Sequence, residues 1–180
     1  MRHTTRLFLL LALVLVAGSG GCTLSAEADV PDVTVTQHDL SFTGIPMAGR
    51  LGDVATELSF TQDKPALDLP KGLDTSVKAV QVDLIAKGGI SSFDFIRSLR
   101  VSMIPTSGTD LGVELLSYER ADGVAVGSTL SIPSKNPINI LDQWKASSAQ
   151  FTIQIAGTLP EQDWSLDMSV HFSGKFSYKY

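Results

Sequence analysis

The sequence contains a single cysteine, Cys22, and only three histidines among its 180 residues. One cysteine cannot form an internal disulfide, so the fold has to rest on the burial of apolar side chains. Beyond the N-terminal segment only His38 and His171 remain, and they are far apart in the chain. No histidine pair has metal-ligand spacing, so we expect no zinc or iron site and no cofactor.

Motifs for nucleophilic and metal-assisted catalysis are also missing. The sequence has no G-x-S-x-G, no S-x-x-K and no H-E-x-x-H. Catalysis by two carboxylates, as in glycosidases, is the one chemistry that the remaining residues allow, and it needs two acids about 5 to 9 Å apart in a cleft. We expect the protein not to be an enzyme.

Basic residues are few, with 14 Lys and Arg against 19 Asp and Glu. Two of the basic residues and none of the acidic ones lie in residues 1–21, so residues 22–180 carry a net charge of −7. Nucleic acids and anionic lipid head groups attract clusters of Lys and Arg. No such cluster is present, and we expect no nucleic-acid partner.

The longest apolar run covers residues 7–17, which is too short for a membrane-spanning helix of about 20 residues. Arg2 and Arg6 precede this run, and no acidic residue occurs before Glu27. A positive start, a short apolar run and then small residues are typical of a secretory signal peptide. The pattern predicts a signal peptide over residues 1–21.

The end of this segment, Ser19-Gly20-Gly21-Cys22, resembles the processing site of bacterial lipoprotein precursors. In that family the cysteine becomes the lipidated first residue, so the resemblance implies that Cys22 carries a diacylglyceryl group and an amide-linked acyl chain. Several acyl chains together give effectively permanent attachment to membrane lipid. Because residue 23 is Thr rather than Asp, the resemblance also implies the outer membrane of the cell envelope.

Ordinary secretion is the alternative reading of the same segment. Ala17-Gly18-Ser19 is an acceptable small-residue cleavage site, and cleavage after Ser19 leaves Cys22 as a free thiol. A lone thiol in an oxidising compartment is reactive and has no partner, whereas lipid attachment explains it. Residues 22–32 are small, polar and interrupted by proline, so we expect a lipidated N-terminus and short tether there.

Strict alternation of apolar and polar residues predicts strands over residues 151–159 and 164–172. A four-residue turn over 160–163 would pair them as a hairpin, with Ile155 opposite Met168 and Phe151 opposite Phe172. Asp122-Gly123 suits a type I′ turn and predicts a second hairpin, with Leu115 opposite Leu130 and Val113 opposite Ile132. Further strands are predicted over residues 33–42, 54–60, 77–86 and 99–104.

Helical signal is confined to a turn near Ser92 and a short helix containing Leu141 and Trp144. Seven or eight strands with one or two helical turns predict an all-β domain over residues 33–180, an antiparallel β-sandwich of immunoglobulin-like architecture. The alternation continues through Phe176 and Tyr178 to Tyr180, which resembles the closing strand of outer-membrane β-barrels. A small barrel is therefore an alternative, although several predicted strands are shorter than the 9 to 11 residues it needs.

Few residues are candidates for a functional site. His171 falls on the polar side of its strand, and the side chains of His38 and Asp39 should point to opposite faces. Three loop acids could gather around calcium, although surface charge is the better interpretation of them: Asp63, Asp68 and Asp74. Trp144 and Trp164 could stack on a sugar, although core packing is the better interpretation.

These observations predict a lipid-anchored lipoprotein of the cell envelope with a structural or protein-interaction role. The expected partners are membrane lipid, through acyl chains on Cys22, and an envelope protein. A module that binds a glycan or an apolar small molecule is the alternative, and a small β-barrel is the second.

Overall fold

A computed structural model describes residues 25–46, 52–63, 74–105, 112–144 and 148–179. Each strand predicted from residues 33–42, 54–60, 77–86 and 99–104 lies within an observed strand. The elements are β1 (Ser25–Phe42), β2 (Val54–Asp63), β3 (Asp74–Ala86), β4 (Ile96–Pro105), β5 (Val113–Glu119), β6 (Thr129–Pro133), α1 (Leu141–Trp144), β7 (Ser148–Gly157) and β8 (Trp164–Lys179).

The eight strands form two antiparallel sheets of four strands each. The first sheet has the order β1-β8-β3-β6, and the second has the order β2-β7-β4-β5. The sheets pack face to face, so the predicted antiparallel β-sandwich is confirmed. Its connectivity is jelly-roll-like, where the sequence had suggested an immunoglobulin-like arrangement. Both sheets are open at their edges, so the closed barrel considered as an alternative is wrong for the described residues.

The core lies between the two inner faces. Phe151, Ile153 and Ile155 on β7 are fully buried, and so is Leu166 on β8. Burying each such side chain contributes roughly 1.5 to 3 kcal/mol. This burial replaces the stabilisation that a disulfide gives to many secreted domains. The apolar sets predicted from the alternation over residues 151–159 and 164–172 therefore do face the core.

The hairpin predicted between these two segments is wrong, because β7 and β8 lie in different sheets. β7 pairs with β2 and β4, whereas β8 pairs with β1 and β3. Residues 158–163 carry the chain from one sheet to the other. An alternation of period two fixes which side chains face the core, and it is equally satisfied by strands that face each other across that core.

The hairpin predicted around Asp122-Gly123 is wrong for a related reason. The turn itself is present, since the N–H of Val124 donates to the carbonyl of Ala121 at 3.2 Å. Gly123 has a φ of 75°, but Asp122 does not have a positive φ, so the turn is not type I′. Type I′ turns have a backbone twist that matches paired strands, and other two-residue turns direct the flanking strands apart. Here β5 and β6 enter opposite sheets.

The tether expected over residues 22–32 is a strand from Ser25 onward. Ser25 pairs with Lys179 and Val30 with Gly174, in regular antiparallel register with the end of β8. The register then shifts between Val30 and Val33, on either side of Pro31. Proline has no N–H to donate to the ladder, which accounts for an irregularity at this point in an edge strand.

The predicted short helix is confirmed as α1, which has four residues. Its start is fixed by Asn139, whose Oδ1 accepts hydrogen bonds from the N–H of Leu141 and the N–H of Val77, each at 3.1 Å. The predicted turn near Ser92 is a single tight turn, in which the N–H of Ile96 donates to the carbonyl of Phe93 at 2.9 Å.

Candidate functional site

An open groove of about 760 Å³ lies on the outer face of the second sheet. Its floor is a row of small side chains that are direct neighbours across three strands: Ala55 on β2, Ala156 on β7 and Ser98 on β4. The next row along the strands contains Glu57, Gln154 and Arg100, whose side chains are much longer. The groove therefore runs across the three strands, beside these long polar side chains.

The polar side chains beside the groove are paired with one another. Gln154 donates to a carboxylate oxygen of Glu57 at 2.6 Å, and Nε of Arg100 lies 2.8 Å from a carboxylate oxygen of Glu114. On the other side of the floor, Arg97 and Asp53 form an ion pair at 3.1 Å. Exposed pairs of this kind contribute about 0 to 1 kcal/mol, so a polar ligand could exchange them at little cost.

A second cavity of about 410 Å³ adjoins this groove and shares Ser98 and Glu119 with it. Glu119 pairs with Ser98 through the backbone ladder of β5 and β4, and its carboxylate makes no hydrogen bond or ion pair with a side chain of the described ranges. An available carboxylate therefore lies where the two cavities meet. Charges of both signs surround it, which suits an uncharged polar ligand better than an ion.

Trp164 does not line the groove. Trp164 is only 2 % exposed, and its ring stacks on Phe42 with centroids 4.2 Å apart. The edge of Phe95 completes this cluster, with its centroid 5.1 Å from that of Trp164. Core packing is thus the role of Trp164. Trp144 lies in α1, and its side chain is outside the described part of the structure.

A chain of polar side chains crosses all four strands on the outer face of the first sheet. Thr34 Oγ1 on β1 lies 3.1 Å from Nδ1 of His171 on β8, and Nε2 of His171 lies 2.7 Å from Asp83 on β3. Ser131 on β6 donates to Asp83 at 2.6 Å. His171 lies on the polar side of β8 as predicted, but it is half-buried and held by two neighbouring strands.

Hydrogen bonds set the ionisation of Asp83. Partial burial raises the pKa of this carboxyl, but hydrogen bonds from Ser131, Gln81 and His171 more than offset it, so the pKa lies below its usual range. The order hydroxyl, imidazole, carboxylate is also that of a catalytic triad. Neither cavity includes Thr34, His171 or Asp83. We interpret the chain of hydrogen bonds as a tie between strands.

Asp167, on the same face of the first sheet, is also held by three neighbouring groups. One of its oxygens accepts from the N–H of Asp39 at 2.9 Å, and the other lies 3.1 Å from Lys87 Nζ and 3.2 Å from His38 Nδ1. Asp39 has a φ of 53°, and β1 shifts register here. This bulge turns the backbone N–H toward β8. His38 therefore contacts Asp167, as the sequence did not indicate.

The bonds to Asp167 predict a specific loss of stability in acid. The N–H of Asp39, with His38 and Lys87, lowers the pKa of Asp167 to about 2, from 3.8. A lowered pKa stabilises the fold above the unfolded value, and this stabilisation disappears as pH falls from about 4 to about 2. We expect the melting temperature of Asp167→Asn to fall less over this pH range than that of the wild-type protein.

Asp122→Asn is the matched control, because Asp122 is exposed and makes no interaction with the described residues. The melting temperature of Asp122→Asn should fall with pH as that of the wild type does. If the melting temperatures of Asp167→Asn and the wild-type protein depend equally on pH, the bonds to Asp167 are not the cause of this loss of stability in acid.

Of the three loop acids considered for calcium, the structure describes only Asp63 and Asp74, so the three-acid cluster stays a prediction. Asp63 ends β2 in one sheet, Asp74 begins β3 in the other, and Asp68 lies outside the described residues. Within the described ranges no group of three His, Cys, Asp or Glu side chains could hold a metal ion. Cys22 and residues 1–21 also lie outside the described residues. No helix that the structure describes is both long and apolar enough to cross a membrane.

Comparison with known proteins identifies no family for this chain. No protein-family model and no curated protein matches the chain. A chain in the structure of the infectious bursal disease virus Gx strain is 14 % identical, with a TM-score of 0.36. The match covers 83 % of this chain but 36 % of the viral chain, so this protein spans little more than a third of its length.

A chain in the structure of tomato aspermy virus is 13 % identical, with a TM-score of 0.25. The match covers 93 % of this chain and 86 % of the viral one. Neither similarity carries an argument about function.

Proposed function

We propose that the protein is a lipid-anchored lipoprotein of the bacterial cell envelope, in the outer membrane, with a non-enzymatic structural or protein-interaction role. The observation that carries this proposal is the sequence Ser19-Gly20-Gly21-Cys22 after a short apolar run. Acylation accounts for the only cysteine of the chain, and the partner that it supplies is membrane lipid.

The start of β1 supports a close association between the domain and the membrane. Only Thr23 and Leu24 separate Cys22 from Ser25, where the ladder with β8 begins. Three residue steps reach about 10 Å at most. A lipidated Cys22 would therefore hold the end of the sandwich formed by Ser25 and Lys179 beside the lipid surface, so that the domain has little freedom to leave it.

Metabolic labelling with an alkyne analogue of palmitate tests the anchor. We expect wild-type protein expressed in a Gram-negative host to take up the label and to partition into the detergent phase of Triton X-114. Cys22→Ser should lose the label, because the acylated atom is absent. Thr23→Ser is the matched control and should label as the wild type does. Equal labelling of Cys22→Ser, or an unlabelled wild-type protein, would rule out acylation at this residue.

A ligand-binding module is the second candidate, and the groove over Ala55, Ala156 and Ser98 favours it. Its volume of about 760 Å³ lies within the usual range for small-ligand sites of 300 to 1,000 Å³. Its lining combines carboxylates, amide and hydroxyl groups with apolar side chains such as Leu116 and Ile138, and the polar groups offer hydrogen bonds to the hydroxyls of a glycan. A glycan array tests this candidate, and crosslinking to envelope proteins tests the protein-interaction role. Glycan binding without a crosslinked partner would favour the ligand-binding module, and the reverse result would favour the interaction role.

A further inference from the structure

The four edge strands of the sandwich differ in how they are protected from pairing with another chain. β1 changes register twice, β6 has five residues and ends in Pro133, and β5 has an extra residue at Leu115 in its ladder with β4. Bulges, short length and proline are devices that prevent an edge from adding a strand. β2 has none of them: its ten residues pair with β7 without a single register shift.

The other edge of β2 is unpaired by any strand of the described ranges. A regular strand with one free edge presents a row of N–H and C=O groups to which an extended segment can add. The inner side of β2 is also incompletely covered. Val54, Leu58 and Phe60 are half-buried and pack against the core, and the ring of Phe60 stacks on Phe151 with centroids 5.7 Å apart. An added strand with apolar residues on the same side would cover them.

The charges on β2 indicate what kind of strand fits. Residues 52–63 contain three acidic residues and no Lys or Arg. Glu57 and Asp63 are exposed on the outer side of the strand, where alternate residues of an added strand would lie beside them. Opposite charges at neighbouring cross-strand positions stabilise a pair, and like charges destabilise it. A strand with Lys or Arg at these positions is therefore favoured.

A second copy of this chain fits less well. Four antiparallel registers keep the apolar sides together and overlap at least seven residues of β2, and they are centred on Glu57, Leu58, Ser59 or Phe60. Centring on Glu57, Leu58 or Phe60 places two carboxylates opposite each other: Glu57 on Glu57, Asp53 on Asp63, or Glu57 on Asp63. Only the register centred on Ser59 avoids such a contact. The charge pattern favours a different protein.

We propose that the free edge of β2 adds an extended segment of a partner protein in which apolar residues alternate with Lys or Arg. This inference rests on the protein-interaction role proposed above, and it names the surface and the chemistry of the partner. The segment would extend the order β2-β7-β4-β5 by a fifth strand. Backbone hydrogen bonds would supply affinity, and Glu57 and Asp63 would select for basic residues.

Fluorescence anisotropy with two labelled ten-residue peptides tests the proposal on the purified, detergent-solubilised full chain. One peptide alternates Lys with Val, and the other alternates Glu with Val. We expect the Lys peptide to bind about tenfold more tightly, because two opposite-charge pairs replace two like-charge pairs. The variant carrying Glu57→Lys and Asp63→Lys should reverse this preference. The matched control, Glu114→Lys with Glu119→Lys on β5, should keep it.

Hydrogen exchange on the wild-type protein provides a readout that does not depend on the folding of a variant. The Lys peptide should slow exchange in residues 54–63 and leave β5 unchanged. The proposal would be overturned if neither peptide binds, if the preference for the Lys peptide is the same in the Glu57→Lys and Asp63→Lys variant, or if the protected residues lie outside β2. Dimerisation that protects β2 would also overturn it, since it would make a second copy the occupant. Repeating the titration with Cys22→Ser separates this result from the anchor, since edge binding does not need the acyl chains.

Discussion

Replacing Gly157 with alanine is expected to lower the free energy of unfolding by about 3 kcal/mol or more. Gly157 ends β7 and has a φ of 152°. A Cβ at this position would overlap the carbonyl oxygen of Phe95 and lie 2.8 Å from the backbone nitrogen of Arg97. The backbone of β4 has to approach β7 this closely, because Ile96 pairs with Gly157. Urea unfolding followed by circular dichroism measures the loss.

Gly127→Ala is the matched control for this substitution. An added Cβ at Gly127 meets no atom within 4 Å. The control should leave stability within about 1 kcal/mol of the wild type, because alanine only reduces the freedom of the unfolded chain there. Similar stability of the two variants would show that β4 does not approach Gly157 in this way.

Replacing Phe151 with alanine is expected to cost about 3 to 5 kcal/mol. Phe151 is fully buried on β7, an inner strand of its sheet, and it pairs with Phe60 on one side and Met103 on the other. Truncation removes a large apolar surface and leaves a cavity between strands that cannot close on it. Calorimetric melting temperatures measure the effect.

Phe60→Ala is the comparison for Phe151, because Phe60 contributes the other ring of the same stacked pair. Phe60 lies on the edge strand β2 and is half-buried, so its loss should cost clearly less. Equal costs at the two positions would contradict the inner position of β7 and the edge position of β2. The comparison therefore also tests the strand order on which the proposed partner surface depends.

The alternation of residue types was sufficient to predict the sandwich and its buried faces. Phe151, Ile153 and Ile155 are buried as their spacing indicates. Strand partners could not be predicted, because the same alternation satisfies a hairpin and a crossing between sheets. The first residues of β1 were also missed, since Pro31 and the small polar residues around it are typical of a tether, and the ladder with β8 overrides this local preference.

The polar contacts of the candidate sites could not be predicted from the sequence for a different reason. His171 and Asp83 are 88 residues apart, and they meet only because β8 and β3 pair in a particular register. The contact between Asp167 and the N–H of Asp39 depends on a bulge in β1. The groove depends on small residues of three strands lying in one row, which is a property of the sheet and not of any segment.

Intact-mass analysis of the protein purified from membranes, with sequencing of its N-terminal peptide, tests the central claim most directly. The account predicts a chain that begins at Cys22 and carries the added mass of a diacylglyceryl group and an amide-linked acyl chain. A chain that begins at Gly20 with an unmodified thiol, or one that still begins at Met1, would contradict it.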